Sequence, residues 1–306
     1  MESSLAFSGS MPVRIKPDRR PLCLVAVFAL AAALRAWLAS ADLPFYLETD
    51  EAILLYQTGI LGLGHLNPHF FDWPGSLQFY VLSLLFSLFY LFSRASGRVA
   101  SASEYNRLFW TSPGPFCALA RCLNAACGVM TVCVVSRLVR PLGAIAVTVA
   151  ACLVVFSPTH VRSSARAMTD VPTTLMMMVA LSLCSQIVQK TSRRDYFLCG
   201  LWIGLATANK YYAAFTFAGV FTAAFMVSGA RLAERFQLLV LAGLGGLVGF
   251  VAGCPFALLD YPTFFLDLRG MSGSNRRETD LSGSSRVCWY PLSVGRPWCW
   301  LRSAAA

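Results

Sequence analysis

Eight apolar runs divide this chain, at about 22–39, 77–93, 116–136, 141–157, 171–188, 196–209, 211–229 and 236–256. Several approach the ~20 residues that an α-helix needs to cross a bilayer. The runs are continuous rather than alternating, which argues against a transmembrane β-barrel. The pattern predicts an all-α polytopic membrane protein. The connectors between later runs are short and basic. Arg137 and Arg140 lie in one, Lys190, Arg193 and Arg194 in the next, Arg231 and Arg235 in a third. Short loops rich in Lys and Arg stay cytosolic. All three share the cytosolic side only if 77–93 does not cross. Its aromatics (Phe79, Tyr80, Phe86, Phe89, Tyr90, Phe92) suit a helix lying at the interface. The prediction is then about seven transmembrane helices, with a structured first outer loop at 40–115 that contains interfacial helices. Arg94, Arg98 and Arg107 fall outside in this arrangement and count against it.

The ends differ from the middle. Residues 1–21 are polar and basic, with Arg14, Lys16, Arg19 and Arg20, which places the N-terminus in the cytosol. Ala39-Ser40-Ala41 has the look of a signal cleavage site, but the run before it exceeds the ~7–15 residues of a signal h-region. We read 22–268 as one membrane module. Residues 269–306 are Ser/Gly/Arg-rich and then Trp/Cys/Pro-rich, with no helical or strand period. They read as an irregular or disordered tail, or as an aberrant end.

Composition agrees with the hydrophobic pattern. The 306 residues are 57% hydrophobic and only 13% charged, against roughly 25% in a soluble domain. Mean hydropathy is +0.60. The formal charge of +10 is spread over loops and offers no basic face for nucleic acid. Most of the eleven cysteines sit in apolar runs, where Cys acts as a small hydrophobe. No Cys or Cys/His spacing suits zinc.

One charge anomaly points to chemistry. Between Ser40 and Ser76 lie five carboxylates (Asp42, Glu48, Asp50, Glu51, Asp72) and no Lys or Arg. Like charges repel unless something positive is bound among them. Asp50 and Glu51 are the candidate catalytic acids, either as a general base or as metal ligands against a phosphate. Asn67, His69 and Asp72 could bind sugar hydroxyls or a metal, or could simply brace their loop. Asp170 opens a helix before Pro172 and is either a cap or a second ligand. Lys210 stands between two apolar runs, where an ionisable residue is costly and usually paired. A lipid phosphate is one natural partner for it, and snorkelling to the headgroups is the plain alternative. Arg35 and Arg121 pose the same choice inside their runs. No Walker motif or Gly-x-Gly-x-x-Gly is present, so no nucleotide cofactor is expected.

These residues occur in a recognisable order. Asp50-Glu51 is followed by Asn67-Pro68, Phe71-Asp72-Trp73-Pro74 and Tyr80. Then come Ala120-Arg121, Ser157-Pro158, Asp170-Val171-Pro172 and the run Gly204-Leu205-Ala206-Thr207 before Lys210-Tyr211. The ordered set, over residues 22–268, resembles the GT-C class of membrane glycosyltransferases. The nearest look-alikes are the dolichyl-phosphate-mannose-protein mannosyltransferase-like and aminoarabinose-transferase-like families. The resemblance implies a polyprenyl-phosphate-linked sugar as donor and a glycan, lipid or protein as acceptor. It implies inverting transfer on the luminal, periplasmic or extracellular face of the endoplasmic reticulum or plasma membrane. Asp50 then takes the place of the family's key loop acid, with Glu51 beside it. Asp170 helps place a metal or the donor phosphate, and Lys210 contacts that phosphate, with Arg166 or Arg35 in support. A divalent cation on Asp170 and Glu51 is the cofactor to expect if one is used. Asn67, His69, Asp72 and Tyr80 are the candidate sugar or acceptor contacts. Members usually continue with further spans, whereas this sequence changes character after 268.

Two other readings compete. A transporter or lipid flippase would use Arg35 and Arg121 along a pathway, but the paired repeats common in such proteins are not found. An inactive truncated fragment that only binds a partner or lipid is the other.

Overall fold

The computed structural model describes residues 21–277, apart from 47, 63, 72–75, 191 and 228–230. Every regular element among them is helical. α1 (Pro21–Ser40) is followed by α2 (Thr49–Gly62), α3 (Leu77–Ala95) and α4 (Ala102–Thr111). The bundle continues with α5 (Gly114–Leu138), α6 (Ala144–Phe156), α7 (Pro158–Ser164), α8 (Asp170–Gln189), α9 (Arg193–Asn209), α10 (Phe217–Met226) and α11 (Leu232–Gly253). Two short helices close it, α12 (Phe256–Leu259) and α13 (Tyr261–Arg277). Asp72, the residues before 21 and the tail after 277 lie outside the described residues.

Among the described residues four helices are long and apolar enough to cross a membrane, namely α3, α5, α8 and α11. The pair α6 and α7, bent by 61°, makes a fifth if it is one broken span. The expected seven spans are therefore not all helices of crossing length. α9 has 17 residues and opens on Arg193, Arg194 and Asp195, while α10 has ten. α3 differs from expectation in the opposite sense, because its length and composition would let it cross. Its packing has another character. Gln78 meets Asn124, and Phe86 and Phe89 stand edge-on to Phe116, so α3 runs antiparallel to the first turns of α5. Its last turns thus lie past the start of α5 instead of along its length. Phe86, Phe109 and Phe116 then share one buried aromatic core with Tyr105 from α4.

The break between α6 and α7 has a local cause. Pro158 has no N–H to give to the Val154 carbonyl one turn back. Ser157 caps the new helix by accepting from the His160 N–H. Arg35 of α1 reaches across, with Nη2 at 2.9 Å from His160 Nδ1 and 3.5 Å from the Val154 oxygen. A freed carbonyl inside a bilayer is costly, so an arginine here braces the kink. Arg35 is fully buried and also binds the Ala31 oxygen of its own helix. The expected approach of Arg35 to the acidic loop is not seen.

α9 and α11 pack backbone to backbone. A Cβ on Gly204 would fall 2.0 Å from the Gly246 oxygen, and one on Gly200 1.8 Å from the Ala242 oxygen. Close helix contact through small residues is how membrane helices associate without a hydrophobic drive. Gly204→Ala should gain up to ~1 kcal/mol of helix propensity. The clash with backbone should cost more, about 1–3 kcal/mol. We expect a lower melting temperature for Gly204→Ala in detergent. Gly243→Ala, with nothing within 4 Å of the new methyl, should melt no lower than the parent. Equal melting of all three proteins would disprove this packing.

Candidate active site

Four elements meet where α1 ends, and their junction is clamped by buried polar groups. Glu51, in the first turn of α2, is fully buried against Arg121 of α5. The contact is bidentate, with Nε to Oε1 at 2.7 Å and Nη2 to Oε2 at 2.9 Å. Arg121 also donates to the carbonyls of Ala39, Ala41 and Phe45. It thereby caps the C-terminal end of α1, whose last carbonyls have no helical partner. The Ala167 N–H donates to Glu51 Oε1 at 3.1 Å. Burial pushes the Glu51 carboxyl up, but the Arg121 and Ala167 hydrogen bonds and the Arg121 charge outweigh it and hold it below the usual range.

The connector 165–169 is held from two more sides. Asn124 Nδ2 donates to the carbonyls of Arg166 and Met168. Asn209, at the end of α9, donates to the Thr169 oxygen at 3.0 Å and to Thr173 Oγ1 at 2.9 Å. This joins the end of α9 to the start of α8, and so sets Lys210 beside Asp170. The Lys210 ammonium binds Asp170 Oδ1 at 2.5 Å and lies 5.8 Å from the Tyr212 ring centre. Asp170 is thus no ordinary cap, since its carboxylate serves the lysine.

The acid-rich loop finds its missing cations on α7 and on this same connector. Glu48 pairs with Arg162 at 2.7 Å and Asp42 with Arg166 at 3.3 Å. With Arg121 on Glu51, three of the four described acids have their own arginine. Asp50 alone among the described acids of that loop has no cation within ion-pair distance. It is half-buried at the N-terminus of α2. Desolvation raises its pKa above the usual value, the nearby Lys210 charge opposes this, and Asp170 and Glu48 add to it. Asp50, Asp170 and Lys210 are therefore brought together from three distant stretches of chain.

Other expected site residues are placed differently. Arg166 keeps one buried nitrogen, Nη1, without a hydrogen-bond partner among the described residues. Asn67 and His69 both bind Asp260 Oδ2, each at 2.8 Å. The Tyr80 hydroxyl donates to the Leu66 carbonyl and braces that same loop. The Phe71 N–H donates to Asp267, while the Tyr211 hydroxyl donates to the Phe71 carbonyl. Asp260 and Asp267 were not singled out in the sequence, nor was Asn124. An Asn inside the apolar run 116–136 was the available signal, because a buried amide needs partners.

The metal pair suggested for Asp170 and Glu51 is not assembled. Both Glu51 oxygens are taken by Arg121, and Asp170 already holds a cationic lysine. No three His, Cys, Asp or Glu groups gather as ligands among the described residues. The cavities of about 240 Å³ lie elsewhere, one between α9 and α11 and one among α2, α3 and α4. The ion-pair site is open.

Residues 118–256 match the family model for dolichyl-phosphate-mannose-protein mannosyltransferase. With its apolar helices, the chain is similar to membrane glycosyltransferases of the GT-C type. No curated protein and no solved structure matches it. The mannosyltransferase match includes Arg121, Asn124, Arg166, Asp170 and Lys210 but begins after Asp50 and Glu51. The loop acids are thus linked to the matched part through Arg121 and Ala167.

Proposed function

We propose that this protein transfers a sugar from a polyprenyl-phosphate donor to an acceptor hydroxyl. On this reading the reaction takes place on the luminal, periplasmic or extracellular face, with the N-terminus cytosolic. The observation that carries the proposal is the isolated Asp50 carboxylate beside the Lys210–Asp170 pair. A base and a phosphate-binding cation are the two groups such a transfer needs. The acceptor O–H loses its proton to the Asp50 carboxylate. Its oxygen forms a bond to the anomeric carbon from the side opposite the phosphate. The bond from anomeric carbon to phosphate oxygen breaks, and the polyprenyl phosphate leaves with the electron pair. Lys210 turns from Asp170 toward that phosphate and offsets the charge. Arg166 stays engaged by Asp42 and supports the site's positive potential. No step runs through a metal ion, because the described residues do not form a ligand set. The sugar's hydroxyls and the acceptor class are read by the neighbouring loop that holds Asn67 and His69.

Purified full-length protein given dolichyl-phosphate-linked labelled mannose should move label to a hydroxyl acceptor. Lys210→Met should raise the donor KM by about 10- to 100-fold, the range of a lost charged hydrogen bond. Lys210→Arg should restore part of it. No label transfer with any hydroxyl acceptor, or an unchanged donor KM in Lys210→Met, would refute the assignment.

A further inference from the structure

The loop at 65–71 carries a second arrangement of catalytic quality that the transfer step above does not use. His69 Nδ1 lies 2.8 Å from Asp260 Oδ2. The carboxylate engages Nδ1, so the ring's other nitrogen, Nε2, is the one left to meet a ligand. Asp260 is itself fixed by Asn67 Nδ2 at 2.8 Å and by Thr263 Oγ1 at 2.8 Å. Those two hydrogen bonds, with His69, hold its carboxyl below the usual range. The imidazole is thus held in one orientation, as a histidine–carboxylate dyad holds it.

Anchoring alone does not account for this histidine. Asn67 already ties the loop to the same carboxylate oxygen, and Asp267 and Tyr211 hold Phe71 two residues on. The His69 side chain is 69% exposed, unlike a packing residue. Its backbone has φ +46°, a left-handed conformation that costs a non-glycine residue energy. The strain is retained where a smaller residue would serve a plain loop better. One bond ties the loop toward the ion pair, since the Tyr211 hydroxyl that donates to the Phe71 carbonyl belongs to the residue after Lys210.

Resting on the transfer reading above, we infer that His69, oriented by Asp260, binds the acceptor through a hydrogen bond between its Nε2 and the acceptor's hydroxyl. The chemistry fits an alcohol, whether a Ser or Thr side chain or a sugar hydroxyl. His69 is then an acceptor-binding residue and Asp260 a positioning residue. The proton of the reacting hydroxyl still passes to Asp50.

The test uses the full chain with dolichyl-phosphate-mannose and two hydroxyl sources, a threonine-containing peptide and methyl α-mannoside. His69→Gly removes the ring while relieving the positive φ. It should raise the acceptor KM about tenfold, as a lost hydrogen bond would, and leave the donor KM unchanged. Free imidazole should restore the acceptor KM. Asp260→Asn should raise the acceptor KM without imidazole rescue. The preferred hydroxyl source identifies the acceptor class, and either preference supports the inference. An unchanged acceptor KM in His69→Gly would overturn it while leaving the transfer reading intact. So would a rise in both KM values with no rescue, which is the mark of a loop that merely came loose. A wild-type protein that transfers to neither source refutes both.

Discussion

Asp50→Asn should abolish most sugar transfer, by about 10²- to 10⁴-fold in kcat, the usual contribution of a general base. Its melting temperature should stay level or rise. The reason is the sign of the local electrostatics. Desolvation and the neighbouring carboxylates Asp170 and Glu48 raise the Asp50 pKa against the pull of Lys210. A raised pKa means the folded state disfavours the ionised form. That penalty is present at neutral pH and disappears as pH falls through the raised pKa. Asn removes it at neutral pH without removing any ion pair closer than 4.0 Å among the described residues. The same shift has a kinetic counterpart. Activity should fall with acidification at a higher pH than an ordinary aspartate would give, and the acid limb should vanish from the residual activity of Asp50→Asn. A variant that loses activity and stability together would mean that Asp50 holds the fold instead.

The charge pattern singles out the acidic loop for a reason that the fold explains. Five acids without a cation in 40–76 had to find positive partners elsewhere, and Arg162, Arg166 and Arg121 come from α7, the 165–169 connector and α5, far along the chain. The sequence pattern could rank the loop but not its members, because pairing across 70 residues or more leaves no local trace. Glu51 was for that reason given a reactive role and proves to be a brace. Asp170 and Lys210 are 40 residues apart in the sequence, and the fold puts them in contact. The count itself was less secure. α9 and α10 are shorter than a bilayer crossing, and α3 is long enough for one. Apolar length alone cannot tell a span from a helix that packs on other outer-loop aromatics. Arg35 was misread for a related reason. Its apolar run shows a stranded charge, but the freed carbonyl it answers belongs to a proline break about 120 residues later. Asp260 stood outside every pattern, since its partners Asn67 and His69 are almost 200 residues away.

Glu51→Gln should destabilise the protein by about 3–5 kcal/mol, the cost of leaving one member of a buried ion pair unmatched. The arginine would remain at 0% exposure with its hydrogen bonds to Ala39, Ala41 and Phe45 but with no counter-charge. Arg121→Lys should cost a similar amount, because an ammonium cannot make the two parallel bonds of the guanidinium. Arg121→Met combined with Glu51→Leu should recover part of the loss, since no buried charge is then left alone. A double-mutant cycle on melting in detergent measures this, and additive losses would disprove the coupling. The pH response follows from the lowered Glu51 pKa. A depressed carboxyl stabilises the fold above its unfolded pKa, and that stability is lost as pH falls through the folded value. Wild type should therefore lose stability in acid more steeply than Glu51→Gln. Activity should follow the same pair by another route. Glu51 is adjacent to Asp50 in the first turn of α2, and its bonds to Arg121 and Ala167 fix that turn against α5 and the 165–169 connector. Releasing it lets Asp50 drift from Lys210, and a displacement of about 1 Å can cost 10²-fold in rate. On the proposed reading the two acids divide their work: Asp50 takes the proton, and Glu51 holds Asp50 where the proton can be taken.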